Sequence, residues 1–146
     1  MVFNQGRYSI VPFFIVIEIC NHSRVPEVVR NHPWITFLQG DAVKSFEQVR
    51  SMIGKDESVM IIEDSSHTYE NTLNVLETYE SLVKPGHYFI VEDSICYRGL
   101  EVGPKPGPYE AIEAFIERNR NFEIDRGRES FLITWNPKGY LKRVAN

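Results

Sequence analysis

The sequence predicts an α/β fold built on a mainly parallel sheet, and three observations carry that prediction. Short apolar runs alternate with stretches of helical periodicity along the chain. The runs are rich in Ile, Val and Phe and nearly continuous, as expected of strands buried on both faces. Acidic residues stand at the ends of the runs, where such a sheet opens its ligand crevice. Alternating β and α units imply parallel strands joined by right-handed crossovers.

Taken in order, residues 1–12 (MVFNQGRYSIVP) hold one glycine, Gly6, and no G-x-G pattern. They are too few for a strand and a parallel crossover, because the crossover alone needs about a dozen residues. Residues 13–19 (FFIVIEI) read as the first clear strand, ending at Glu18. Residues 24–31 read as a short helix with Pro26 in its first turn. A strand over 35–38 closes on Gly40-Asp41, and residues 42–53 space Val43, Phe46, Val49 and Ile53 as a helix does. A strand over 59–62 ends in Glu63-Asp64. Residues 68–83 form the clearest helix, with Leu73, Leu76, Tyr79 and Leu82 on one face and Pro85-Gly86 as its stop. A strand over 87–91 ends in Glu92-Asp93. A loop rich in Gly and Pro (94–108) leads to an amphipathic helix over 109–119. Two β runs, 122–124 and 130–135, flank Asp125-Arg126-Gly127-Arg128 and read as an antiparallel hairpin.

The length, 146 residues, predicts a single domain spanning 1–146, with 1–12 as an atypical N-terminal segment. At 42% hydrophobic and 25% charged residues, the composition excludes a disordered, collagen-like or coiled-coil chain. With 16 Lys and Arg against 20 Asp and Glu, the net charge of −4 gives neither a nucleic-acid footprint nor a polybasic membrane patch. Cys20 and Cys96 have no metal-type spacing and read as thiols in a reducing cytosol, so a cytoplasmic location is expected. The apolar run 10–19 carries Pro12 and Glu18 and is about half the ~18 residues a membrane span needs, so no transmembrane segment is expected.

Three groups of residues carry candidate chemistry. Asp64 and the pair Glu92-Asp93 end two strands that the helix 68–83 places side by side. Three carboxylates in one crevice repel one another unless a cation sits among them, and hard oxygen ligands favour Mg²⁺, Ca²⁺ or Mn²⁺. The alternative is that they are solvated or cap the following helix. His67 follows Asp64 by three residues, and an imidazole is suited to take a proton from a substrate hydroxyl. Here the alternative is that Ser65 or Ser66 caps the helix and His67 is merely exposed in its first turn. Glu18 stands where an acid can accept hydrogen bonds from ribose hydroxyls, and Asp41 where one can reach a purine amino group. His22, His32 and His87 are weaker candidates: His22 lies in a loop after Glu18, His32 precedes Pro33, and His87 opens a strand at the opposite sheet edge.

The stretch VKPGHYFIVED (83–93) resembles the fourth helix and fifth strand of class I S-adenosylmethionine-dependent methyltransferases. Four segments resemble, more narrowly, the cephalosporin hydroxylase / rhamnosyl O-methyltransferase family: IEICNHSR (17–24), the run 64–93, GPKPGPYEAIEAF (103–115) and FEIDRGRESFLITWNPKGYLKRV (122–144). The resemblance implies a Rossmann-like sheet of six parallel strands and one antiparallel strand, here without the usual first strand and its glycine-rich loop. It implies S-adenosylmethionine as cofactor, Mg²⁺ as metal, and a small-molecule hydroxyl substrate, a natural product or a glycolipid sugar, from antibiotic or lipid biosynthesis. Glu18 falls on the ribose-binding acid, and Glu18, Asp41 and Asp64 are expected to face the cofactor. Asp64, Glu92 and Asp93 fall on the metal positions of metal-dependent O-methyltransferases. In catechol O-methyltransferases, which resemble this spacing, a lysine base follows the first metal acid by three residues, and His67 occupies that place. Family members often read Asp-Ser-Asp-His where this chain has Asp64-Ser65-Ser66-His67, so a metal site relying on the second acid would be weakened here.

The leading expectation is therefore an N-terminally truncated O-methyltransferase domain, with the 94–108 loop covering the substrate. A non-catalytic remnant or accessory subunit is the alternative, and a metal-dependent hydroxylase a third, although that chemistry usually wants two histidines with a carboxylate. Apolar surface left by a missing strand favours a homo-oligomer.

Overall fold

The computed structural model describes residues 2–4, 14–18, 25–98, 105–130 and 133–145. Seven strands form one sheet: β1 (Val2–Asn4), β2 (Phe14–Glu18), β3 (Ile35–Gln39), β4 (Val59–Glu63), β5 (Tyr88–Val91), β6 (Phe122–Ile124) and β7 (Tyr140–Arg143). Four helices accompany them: α1 (Glu27–Arg30), α2 (Phe46–Met52), α3 (Tyr69–Tyr79) and α4 (Pro108–Arg118). The fold is α/β, as expected.

The strand order is β3-β2-β1-β4-β5-β7-β6. β2 and β3 run parallel from Phe14↔Ile35 to Glu18↔Gln39, and β4 and β5 run parallel from Ile61↔Phe89 to Glu63↔Val91. Between these parallel pairs stands β1, antiparallel to both, with Val2 opposite Ile15 and Ile61 and Asn4 opposite Val59. β1 is thus reversed relative to both neighbours, an arrangement that needs no crossover. A glycine-rich loop, expected to be missing, would concern residues 5–13, which lie outside the described residues.

The C-terminal antiparallel pair forms with a different partner from the one expected. β6 pairs with β7, from Phe122↔Arg143 to Ile124↔Leu141, and β7 pairs in turn with β5. Ser130 and residues 133–135 are not in a strand, and Arg126–Arg128 is a 3₁₀ turn. Ile133 and Trp135 are largely exposed, whereas Leu141 is fully buried. Burial of Leu141 therefore selects the more charged segment YLKR over the more apolar ITW.

One core holds the layers together. Ile61, Phe89, Val91 and Leu141 from the sheet join Leu73, Leu76 and Tyr79 from α3 and Ala111, Ile112 and Phe115 from α4. Burial along β4 alternates, with Val59, Ile61 and Glu63 buried and Met60 and Ile62 half-buried. The two faces of β4 are thus covered unequally. The N-cap of α3 is Thr68, whose hydroxyl accepts the Asn71 N–H, rather than Ser65 or Ser66. No helix among the described residues is long and apolar enough to cross a membrane.

Candidate active site at the carboxyl ends of β4 and β5

Alternation along β4 decides which acid turns inward. Glu63 shares the buried face of Val59 and Ile61 and is 3% exposed. Its carboxylate accepts hydrogen bonds from the Ser65 hydroxyl, from Asn71 Nδ2 at 3.4 Å and from the Thr72 hydroxyl at 3.3 Å. Asn71 also donates to Ser65 Oγ at 2.6 Å. A buried carboxylate with three donors is a satisfied one. Here it ties the loop 64–68 to the first turn of α3. Sequence reasoning passed over Glu63 in favour of its neighbour, although the apolar alternation Val59-Ile61 pointed its side chain to the same face.

Asp64, one residue on, is exposed. The chain then turns through His67, whose φ of 51° is rare for a residue with a Cβ. His67 Nε2 lies 3.7 Å from Asp64 Oδ1 and 3.8 Å from Asp93 Oδ2. Its Nδ1 is buried without a hydrogen-bond partner among the described residues.

From the other side, β5 brings up Glu92 and Asp93. The Glu92 N–H donates to the Glu63 carbonyl at 2.9 Å, which extends the β4–β5 pairing to the edge of the site. Asp93 then takes φ 48°, a second left-handed residue facing the first. The Glu92 carboxyl is held above the usual carboxylate range by partial burial first and by the charges of Asp64 and Asp93 next, while His67 pulls it back down. Asp64 and Asp93 therefore act on Glu92 through their charges.

One donor atom each from Asp64, His67 and Asp93 lies within 4.8 Å of the other two. Donors about 2.1 Å from an octahedral ion stand roughly 3–4 Å apart, so this set would have to draw together slightly to share one cation. Glu92 is not one of the three grouped donors but contributes to their field.

Two of the three expected cofactor acids, Glu18 and Asp41, belong with β2 and β3, on the other side of β1. Glu18 ends β2 in register with Gln39, so its backbone stands at the same sheet edge. Asp41 follows β3, exposed, with Oδ1 accepting the Lys44 N–H at 3.0 Å and its carbonyl accepting the Ser45 N–H and hydroxyl. It therefore shapes the turn into α2. Of the remaining candidates, His32 Nδ1 accepts the Trp34 N–H and its ring meets the Trp34 edge, and His87 sits at the start of β5, away from the site. His22 and Cys20 lie outside the described residues, as does 99–104 of the loop expected to cover substrate. The described ends of that loop are clasped: Arg98 pairs with Glu110 at 2.7 Å and stacks on Tyr109.

The sequence profile of the family described as Rhamnosyl O-methyltransferase/CmcI matches residues 9–144. The chain belongs to this family. Among curated relatives, the rhamnosyl O-methyltransferases of Mycobacterium bovis (strain BCG / Pasteur 1173P2) and Mycobacterium tuberculosis (strain ATCC 25618 / H37Rv) are each 31% identical over 140 residues. These alignments cover 90% of this chain and 56% of the relative. The Mycobacterium leprae enzyme of the same name is 32% identical over 141 residues, covering 90% of this chain and 60% of its own length. The chain thus spans little more than half of the rhamnosyl O-methyltransferases it matches. No solved structure matches it.

Proposed function

We propose that this chain carries out cation-assisted O-methylation of a sugar hydroxyl with S-adenosylmethionine as methyl donor. The observation that carries this reading is the convergence of Asp64, His67 and Asp93 at the carboxyl ends of two parallel strands, in a chain of the rhamnosyl O-methyltransferase family. A sugar acceptor is favoured by the names of the relatives.

Asp64 and Asp93 hold the cation, and Glu92 adds a third negative charge to the site. A divalent ion supplies charge that lowers the pKa of an acceptor hydroxyl. His67 takes the hydroxyl proton on Nε2, which lies 3.7 Å from Asp64 Oδ1 and 3.8 Å from Asp93 Oδ2. Glu63, bonded to Ser65, Asn71 and Thr72, keeps the His67 loop in place. Glu18, which ends β2, and Asp41, which follows β3, are assigned to the ribose and the purine of the cofactor on the strand-end rule alone. When bound, S-adenosylmethionine supplies the methyl group, and the chain's contribution to the transfer is mainly positioning.

A second reading makes His67 Nε2 the third metal ligand, and its distances to both acids favour it. An imidazole donor would shift the preference from Mg²⁺ toward Mn²⁺, Co²⁺ or Zn²⁺.

Isothermal titration with S-adenosylmethionine, with and without Mg²⁺, tests the proposal. Saturable binding that tightens with Mg²⁺ supports it, and no heat of binding up to millimolar cofactor overturns it.

A further inference from the structure

Residues 135–139 (WNPKG) grip the backbone that carries Asp93. The Asp93 N–H donates to Asn136 Oδ1 at 2.8 Å. On either side, the Val91 N–H donates to the Gly139 carbonyl at 2.8 Å and the Ile95 N–H to the Trp135 carbonyl at 3.1 Å. The Ser94 hydroxyl, fully buried, donates to the Pro137 carbonyl at 2.7 Å. The turn closes on itself through the Gly139 N–H and the Asn136 carbonyl at 2.9 Å. Position 139 admits only glycine, because a Cβ there would collide with the Val91 carbonyl.

Topology puts this turn at the site edge. It leads directly into β7, which pairs antiparallel with β5, so Tyr140 lies opposite Ile90 and the turn faces the residues that follow β5. Lys138 fastens its outer side, with Nζ on Glu113 of α4 at 2.6 Å and its own N–H on Glu129 at 2.9 Å.

Asp93 takes a left-handed backbone conformation, which residues with a Cβ adopt at a cost and keep only where their surroundings hold them. Of the four contacts from the turn to the segment 91–95, only the Asn136 bond reaches Asp93 itself. We propose that Asn136 is a positioning residue for the cation site: by accepting the Asp93 N–H it holds the left-handed turn that brings Asp93 Oδ2 to within 3.8 Å of His67 Nε2. This rests on the reading of Asp64 and Asp93 as cation ligands. Partners that orient ligands in this way tune metal affinity about 10- to 100-fold.

The test is Mn²⁺ titration followed by electron paramagnetic resonance, with thermal melting run alongside. Asn136→Ala is expected to raise the Mn²⁺ Kd about tenfold or more, while Asn136→Asp, which keeps an acceptor at the same reach, restores affinity to near wild type. Ser94→Ala is the control. It removes a neighbouring brace bond and lowers the melting temperature but leaves Mn²⁺ affinity unchanged. Should Asn136→Ala not fold, Asn136→Ser, whose hydroxyl falls short of the Asp93 amide, carries the same expectation. Equal Mn²⁺ affinity in wild type and Asn136→Ala overturns the positioning role alone, as does a loss in Ser94→Ala as large as in Asn136→Ala. Absence of Mn²⁺ binding in the wild type overturns the cation reading itself, and the positioning role with it.

Discussion

His67 Nε2 stands 3.8 Å from Asp93 Oδ2, and through this approach the ends of β4 and β5 become one site. The two residues are 26 positions apart and both take left-handed backbone conformations. If His67 is the base, His67→Gln leaves Mg²⁺ affinity within about twofold and lowers kcat by about 10²–10⁴, the usual contribution of a general base. If Nε2 is a ligand, the same substitution weakens Zn²⁺ and Co²⁺ binding far more than Mg²⁺ binding. Calorimetry with the three metals, beside a methyl-transfer assay, separates the two, and the first outcome is expected.

Glu63 offers a prediction about stability. Glu63→Ala leaves the Ser65, Asn71 and Thr72 donors without their carboxylate, and Thr72 is fully buried. A buried unsatisfied donor costs about 1–3 kcal/mol. The variant is expected to lose about 2–4 kcal/mol in urea unfolding, whereas Asp64→Ala, exposed one residue away, is expected to change stability by no more than about 0.5 kcal/mol.

Alkaline pH probes the other end of α3. Burial first, and the nearby charge of Asp41 next, push the Tyr79 hydroxyl up to about 12. The hydroxyl donates to the Ala42 carbonyl at 2.7 Å. A tyrosine raised in the folded state contributes stability that is fully present below its unfolded value, near 10, and is lost as pH rises toward 12. Unfolding free energy is therefore expected to fall across that window, and Tyr79→Phe is expected to flatten the fall. The same variant costs about 0.5–1.5 kcal/mol at neutral pH for the lost hydrogen bond. An unchanged alkaline slope in Tyr79→Phe would contradict this assignment.

Much of the scaffold is legible in the sequence because burial enforces periodicity. Leu73, Leu76 and Tyr79 mark α3, and all three are in the core. The strand-end rule likewise identified Asp64, Glu92 and Asp93 as one electrostatic group, because parallel strands bring their carboxyl ends to a common edge. What stayed hidden depends on contacts distant in sequence. β7 was missed because YLKR is a weak strand on propensity, and its pairing with β5 and the burial of Leu141 decide the matter. The turns at His67 and Asp93 were not legible either. Neither position is glycine, and the bond from the Asp93 N–H to Asn136 joins residues 43 positions apart.

The reversal of β1 changes which segments meet the edge of the candidate site. A parallel central strand would deliver its outgoing loop to the edge where Glu18, Glu63 and Val91 end. β1 instead starts at that edge and exits beside Val59, at the opposite rim, where Phe14 opens β2. β1 therefore ends, and β2 begins, at the rim remote from His67. The described segments at the site edge include those that follow Gln39, Glu63 and Val91, together with the turn 135–139.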